Sequence, residues 1–408
     1  AVSESGIEDG VYRVITGKQL SSSETLAVGN GTTTITLTTT GTQKVIRSEG
    51  KRGTYQRNLE TKLDIDTVGT SFIYGVQIGD GGIELSNTAQ IIGSVYSNGS
   101  ILGENSPVIT GDAFAASTSR IEAVTVNGNA RANLIRNSTV GKNASSTTDL
   151  DNVIVSFDAH ANNLIASTIN RDAYFMTKDG ATTILGAQFP GTPPPANLPS
   201  LPMPISDAQL DQWEAEASLG GVHTSPCPYV LTSGTTNLGP KKIACDMDIK
   251  NTAVVNLQGT LWVAGNLTIQ NSAIVQLDPL YGQQSGFIIV DDPANRSAGS
   301  ILDVKNSAQI LGSGTPGSYV MLVSRNNSAE IGGGTDAVEV QNTSSAPIYY
   351  VPHGSIEIHN SANLKEVTAY KLEIRNSATV TYESGLTNVQ FTTGPTGGYN
   401  VIHWKEVE

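Results

Sequence analysis

The clearest feature of the chain is a pattern in which two apolar positions separated by one polar residue are followed by a corner. Between residues 223 and 390 it reads apolar-x-apolar-x-Asn-Ser/Thr-Ala. It occurs at Met247–Asn251, Leu267–Asn271, Leu302–Asn306, Ile356–Asn360 and Leu372–Asn376, with Val338–Asn342 and Leu322–Asn327 as variants and Ile83–Asn87 as an earlier match. Residues i and i+2 of a strand point to the same face, so each unit sends two side chains into a core. The sharp turn that follows needs a residue in the left-handed region, where Asn is the best tolerated non-glycine residue. From Asn251 the asparagines follow at intervals of 20, 35, 21, 15, 18 and 16 residues. A period of this size is too short for βα repeats and fits one coil of a β-solenoid, with the interval of 35 covering two coils. In a stack, the Asn amides of successive coils lie roughly 4.8 Å apart and hydrogen-bond as a ladder. Asn87, Asn251, Asn271, Asn306, Asn327, Asn342, Asn360 and Asn376 are the expected corners.

The rest of the chain reads as three further blocks. In residues 1–70, Ile7, Val11, Val14 and Ile15 mark one face of a helix that Gly17 ends, followed by strand-like runs at Glu24–Val28, Thr33–Thr39, Lys44–Ser48 and Tyr55–Ile65. The Thr-rich alternation and the Asn30-Gly31 turn predict antiparallel hairpins under that helix. Residues 71–185 carry short β-runs punctuated by Asn and Gly and form a first solenoid block. Residues 186–222 hold a proline-rich connector, including Pro193-Pro194-Pro195, and a short helix. Ser206 and Gln209 form its capping box, Leu210 and Trp213 share a side, and Gly220-Gly221 ends it. Residues 223–408 form the second solenoid block with a C-terminal cap over Phe391–Glu408. The predicted fold is therefore mostly β, a parallel solenoid preceded by a small α+β head.

Charge and cysteine narrow the function. The 24 Lys+Arg against 37 Asp+Glu give a net charge of −13, which argues against nucleic acid and anionic lipid as partners. No run of apolar residues reaches the length of a membrane span. The chain starts at Ala1 with neither Met nor signal peptide, as a processed form would. Cys227 and Cys245 have no metal-ligand neighbours, and their separation suits a disulfide, which places the protein in an oxidising, extracellular setting. Eight Asn-x-Ser/Thr sequons occur, but a turn code built on Asn and Ser generates them without glycosylation.

Solenoids often cleave acidic polysaccharides, which requires clustered carboxylates. The best cluster, Asp291-Asp292 with Asp278 and Arg296, lies in a turn-forming Asp-Asp-Pro-Ala-Asn sequence and reads as loop capping. Histidines 160, 223, 353, 359 and 403 are scattered. Calcium sites at Asp64/Asp66, Asp246/Asp248 or Gly79–Gly82 match neither the EF-hand nor the calcium-roll pattern. No catalytic residue, cofactor or resident metal is expected.

Ser3–Arg13 resembles the segment that follows the membrane helix in type IV pilin-like proteins, and the stretch from Cys227 through Pro316–Val320 and Lys365–Tyr370 to Trp404–Glu408 resembles the β-helical module attached to such heads in small uncultured bacterial lineages. The resemblance implies a non-enzymatic cell-surface or appendage protein. The expectation is a homopolymeric extracellular subunit, with Ile7, Val11, Tyr12 and Trp404 as assembly candidates. A monomeric adhesin that grips surface glycans or other cells is the alternative, and a polysaccharide lyase or hydrolase ranks below both.

Overall fold

The computed structural model describes residues 1–15, 20–40, 43–65, 67–70, 74–342, 345–382, 389–392 and 399–407. The fold is mostly β: a parallel solenoid of about 17 turns joined to a helix-on-sheet head.

In the head, α1 (Val2–Ile15) lies across antiparallel strands β1 (Ser23–Val28), β2 (Gly31–Thr40), β3 (Gln43–Arg52) and β4 (Tyr55–Ile65). Ile7 and Val14 pack on Ile35, Ile46, Leu59 and Leu63, with Val11 at the margin. Gly6 sets the closeness of that packing, since a Cβ there would stand 2.3 Å from the Ser48 hydroxyl. The fifth strand of this sheet is Tyr399–Val407, antiparallel to β4 with Thr61 opposite Trp404. The C-terminal segment therefore completes the head and does not cap the solenoid.

Both solenoid blocks form as the Asn pattern predicts, but their order in space is not their order in sequence. The last coil of the second block, Asn363–Ile374, pairs in parallel with the first coil of the first block, Val76–Ser86, placing Leu372 opposite Ile83 and Ile374 opposite Leu85. The two blocks share one core, from Leu238 and Ile243 through Leu372 and Ile83 to Ile169 and Phe175. The head therefore joins the rod at the seam between blocks, and is not an end cap. The chain leaves the head into this seam, winds to one end at Gln188–Pro190, and restarts at the opposite end at Val222–His223.

The proline-rich connector bridges that distance by lying along the outside of the first block. Its carbonyls accept one side-chain donor after another: His160 Nε2 on Pro193 at 2.7 Å, Thr147 on Pro195 at 3.1 Å, Arg131 on Ala196 at 2.7 Å, the Tyr96 hydroxyl on Pro199, and Gln77 on Pro202 at 2.8 Å. Proline has no N–H to satisfy, so a strap that mostly accepts loses nothing at its prolines, while Leu201 N donates to the Asn98 side chain at 2.9 Å. Beyond it, α2 (Asp207–Leu219) packs on the second block. Ser206 caps it, Leu210 and Trp213 are buried, and Gly220 with Gly221 at φ 108° ends it.

The corners use the residues expected of them. Asn87, Asn251, Asn271, Asn306, Asn342, Asn360 and Asn376 all have φ between 53° and 61°. Asn306 donates to Asn271 at 3.1 Å and Asn342 to Asn306 at 3.0 Å. The ladder crosses the seam, with Asn87 donating to Asn376 at 3.1 Å and Asn105 to Asn87 at 2.9 Å. Asn327 is a correction. It is not among the left-handed residues and lies in an irregular excursion, while its neighbour Asn326 is buried and donates to the Gly299 carbonyl at 2.7 Å.

Candidate functional site

Three places concentrate chemistry or exposed surface. The first lies under α2. Strands Gly286–Val290 and Val320–Ser324 are buried on both faces, because α2 covers the side that solvent would otherwise reach. At their ends Asp291, fully buried, is held by Arg296 through two bonds of 2.7 Å. Arg325, 3% exposed, reaches Glu214 at 3.1 Å and Asp291 at 3.7 Å, and also bonds Asp211. Burial, then the Asp291 charge, push the Glu214 carboxyl up to about 7, against the pull of Arg325. Asp292 accepts from Ala294 N at 3.2 Å, and Asp278 caps a short 3-10 turn through Leu280 N at 3.0 Å. Of the carboxylates that sequence singled out for hydrolysis, Asp291 thus joins the cluster that fastens α2 to the rod, while Asp278 and Asp292 cap local turns. Arg325 and Glu214 complete the cluster and had no motif to reveal them.

The second place is an outward acidic column. Register carries Asp248 through Thr268 to Asp303, Glu339, Glu357, Glu373 and Glu84 on successive coils. Stacked like charges repel. The neighbouring outward column answers them: Lys250 on Asp248 at 2.6 Å, Lys305 on Asp303 at 3.2 Å, His359 on Glu339 at 2.8 Å and Arg375 on Glu357 at 3.3 Å. Ligand atoms of Glu339, Glu357 and His359 lie within 4.8 Å of one another, the spacing that would let them hold a cation. A groove of about 330 Å³ crosses the same flank, lined by Asp246, Asp248, Asn266, Thr268, Gln270 and Asp303 among others. In it Asp246 accepts from Asn266 N at 2.7 Å and Asp248 from Gln270 at 3.2 Å. Asp64 faces Gln43 at 3.2 Å in the head, Asp80 is exposed near Gly82, and Asp66 lies outside the described residues.

The third place is the pair of rod ends. At one end the core residue Ile184 is only partly buried and Leu185 and Phe189 are 69% and 41% exposed. At the other, Tyr229 and Leu231 are partly buried and Val222 and Val230 are 51% and 41% exposed. Cys227 and Cys245 are bonded, with Cα atoms 6.0 Å apart, so the terminal coil is tied to the next one just before Tyr229 and Met247 pair.

The assembly candidates divide. Ile7 is fully buried in the head core and Val11, partly buried, packs against it, so the helical period marked a face that the head's own sheet occupies. Tyr12 and Trp404 are 54% and 48% exposed on the head.

No family model and no curated protein matches the chain. Among solved structures, the competence-associated pilin ComZ from Thermus thermophilus aligns over 100% of this chain and 96% of its own, at 12% identity and a TM-score of 0.29, a level of likeness that carries no argument. Among the described residues no helix is long and apolar enough to cross a membrane.

Proposed function

We propose that the protein is a non-enzymatic structural subunit of an extracellular or cell-surface assembly, in which the head is the mounting module and the solenoid is a rigid projecting rod. The observation that carries this reading is the path of the chain. One small head gathers α1 and the strand Tyr399–Val407, Arg57 of β4 bonding Glu4 on the helix at 2.8 Å and Glu406 on the strand at 3.1 Å, while the strands from Val76 to Thr381 share one stack. The disulfide suits an oxidising compartment. The head is the helix on antiparallel sheet that the pattern of residues 1–70 predicts, and the resemblance of Ser3–Arg13 to pilin-like proteins implies a cell-surface or appendage role. The pairing of acid with base along the flank supports a passive surface, since catalysis needs a carboxylate held ready for substrate. Electron microscopy of native surface material tests the reading: filaments or sheaths that react with antibody to this chain support it, and labelling of dispersed single molecules would overturn it.

An adhesin is the second reading, favoured by the flank groove at Asp246, Asp248, Asn266 and Gln270, whose carboxylates and amides match sugar hydroxyls. A glycan array probed with wild-type protein and with Asp303→Asn separates the two. Saccharide binding that the variant loses supports adhesion.

A further inference from the structure

The rod ends match each other. Three columns of residues run without a break from one end to the other. The first begins at Val222, passes Lys242, Trp262 and Tyr350, crosses the seam between Thr368 and Gln77, and finishes at Phe189. The second begins at Thr235 and finishes at Thr183. The third begins at Tyr229 and finishes at Lys178. The columns therefore set a register in which the last coil of one copy receives the first coil of another on three faces, with Lys178 meeting Tyr229 in a column that is apolar elsewhere and Pro190 closing the receiving strand.

We infer that a second copy of this chain docks end to end, its Val222–His223 and Tyr229–Leu238 strands stacking on the coil of Thr183–Ile184 and Gln188–Pro190, so that the solenoid continues through the assembly. The inference rests on the reading of the protein as a self-assembling subunit and names the surface that assembles. Three observations select this occupant. The edge strand Tyr229–Leu238 is ten residues long with no charge and no proline, whereas unpaired edges are ordinarily blunted by both. The core is covered along its length but left half-open at Ile184, Tyr229 and Leu231, the positions that another coil would cover. The seam inside the molecule already joins two coils far apart in sequence, with Thr379 opposite Gln90 and the Asn376–Asn87 bond intact, so such a junction needs no connecting loop. The contact is heterologous, because the two ends are different surfaces, and its repetition produces a linear polymer.

Cysteine cross-linking reads the register directly. Thr183 and Thr235 are both exposed, and adjacent parallel strands hold such residues at about 5 Å, within disulfide reach. The full chain carrying Thr183→Cys and Thr235→Cys, its native disulfide retained, is oxidised with diamide and run without reductant. The expected result is a ladder of covalent dimers, trimers and higher multimers, with each single variant remaining monomeric. Leu185→Lys with Phe189→Lys, changes at exposed positions, should raise the concentration needed for assembly at least tenfold by light scattering. Filaments of wild-type protein without a ladder would overturn the end-to-end contact and leave the filament reading standing. A wild-type chain that stays monomeric at high concentration would overturn both. Efficient dimers from Thr235→Cys alone would replace the inference with pairing of like ends.

Discussion

The two blocks of the rod turn the same kind of corner around differently built coils. In the first block one inner column reads Ile121, Ile135, Leu150, Leu164, with successive coils 14 or 15 residues apart. In the second the same column reads Met247, Leu267, Leu302, Val338, Ile356 and Leu372, with coils of 16 to 20 residues and two long ones of 35 and 36. The interval of 35 is thus a single coil with an excursion and not the two coils that the spacing predicts. The additional residues leave the stack as excursions, and these supply Arg296 and Arg325 to the buried cluster that holds α2. The outer face of the second block thereby becomes a second core, of Trp213, Phe287, Met321, Ile348 and Phe391. The first block has only the strap across its outside, so its outward column, with Tyr96, Phe114, Tyr174 and Phe189, packs ring against ring without building a second core. The difference teaches that solenoid length and solenoid thickness are set separately: inward residues extend the stack, and excursions decide what else can be attached.

The largest effect that would break this contrast is removal of the helix anchor. Trp213 stacks on Phe287 with ring centroids 4.1 Å apart and is 2% exposed, so Trp213→Ala should cost about 3–5 kcal/mol in urea unfolding. Because the blocks share one core across the seam, a single transition should move. A split into two transitions would show that the seam does not couple them. Next, Cys227→Ser with Cys245→Ser should cost on the order of 3 kcal/mol from loop closure and raise hydrogen exchange at Tyr229–Ile243 before Ile135–Leu164. Equal exchange along the rod would contradict a locally acting tie. At the corners, Asn376→Val should cost about 1–3 kcal/mol, because a β-branched residue is strained at φ 54°. Asn327→Val, free of that strain, should cost less, and the ordering of the two midpoints checks it.

The smallest effect concerns pH and only the second block. Glu214 holds its proton up to about 7 in the folded protein, against 4.5 for an unperturbed carboxyl. The folded state therefore binds more protons between those values, and stability falls as pH rises through that window. Glu214→Gln should flatten this slope, measured as the difference in denaturation midpoint between pH 5 and pH 8. A slope unchanged by the substitution would show that the proton resides elsewhere.

Much of the rod was legible because its rule is local. A pair of inward residues and an Asn corner occupy five positions in a row, and seven of the eight predicted corners adopt the left-handed conformation. The short helix was legible for the same reason, through Ser206, Gln209, Leu210 and Trp213. Global path was not. The earlier match at Ile83–Asn87 is the coil that receives Leu372–Asn376, but a shared motif does not say which copies touch. Phe391–Glu408 reads as a cap of the solenoid in sequence, and only the pairing of Tyr399–Val407 with β4 assigns that strand to the head. Ile7 and Val11 marked a helical face, and the hairpins predicted beneath it bury Ile7 and flank Val11, which is at odds with offering both to a neighbouring subunit. Asp291 and Arg296 stood together in sequence, but Glu214 and Arg325 come from separate elements that only the fold brings to them.

The strap has a mechanical consequence. Neither tip of the rod contains a chain terminus: at Pro190 the chain continues into the connector, and at Val222 it arrives from α2. Traction on the head passes through the antiparallel strands Thr67–Thr70 and Val389–Thr392, and from them into Val76 and Thr381 on neighbouring coils of the seam. A load applied there cannot peel coils one at a time from a loose end. It must instead shear many parallel hydrogen bonds together at the middle of the stack, with an arm of rod on either side sharing the strain.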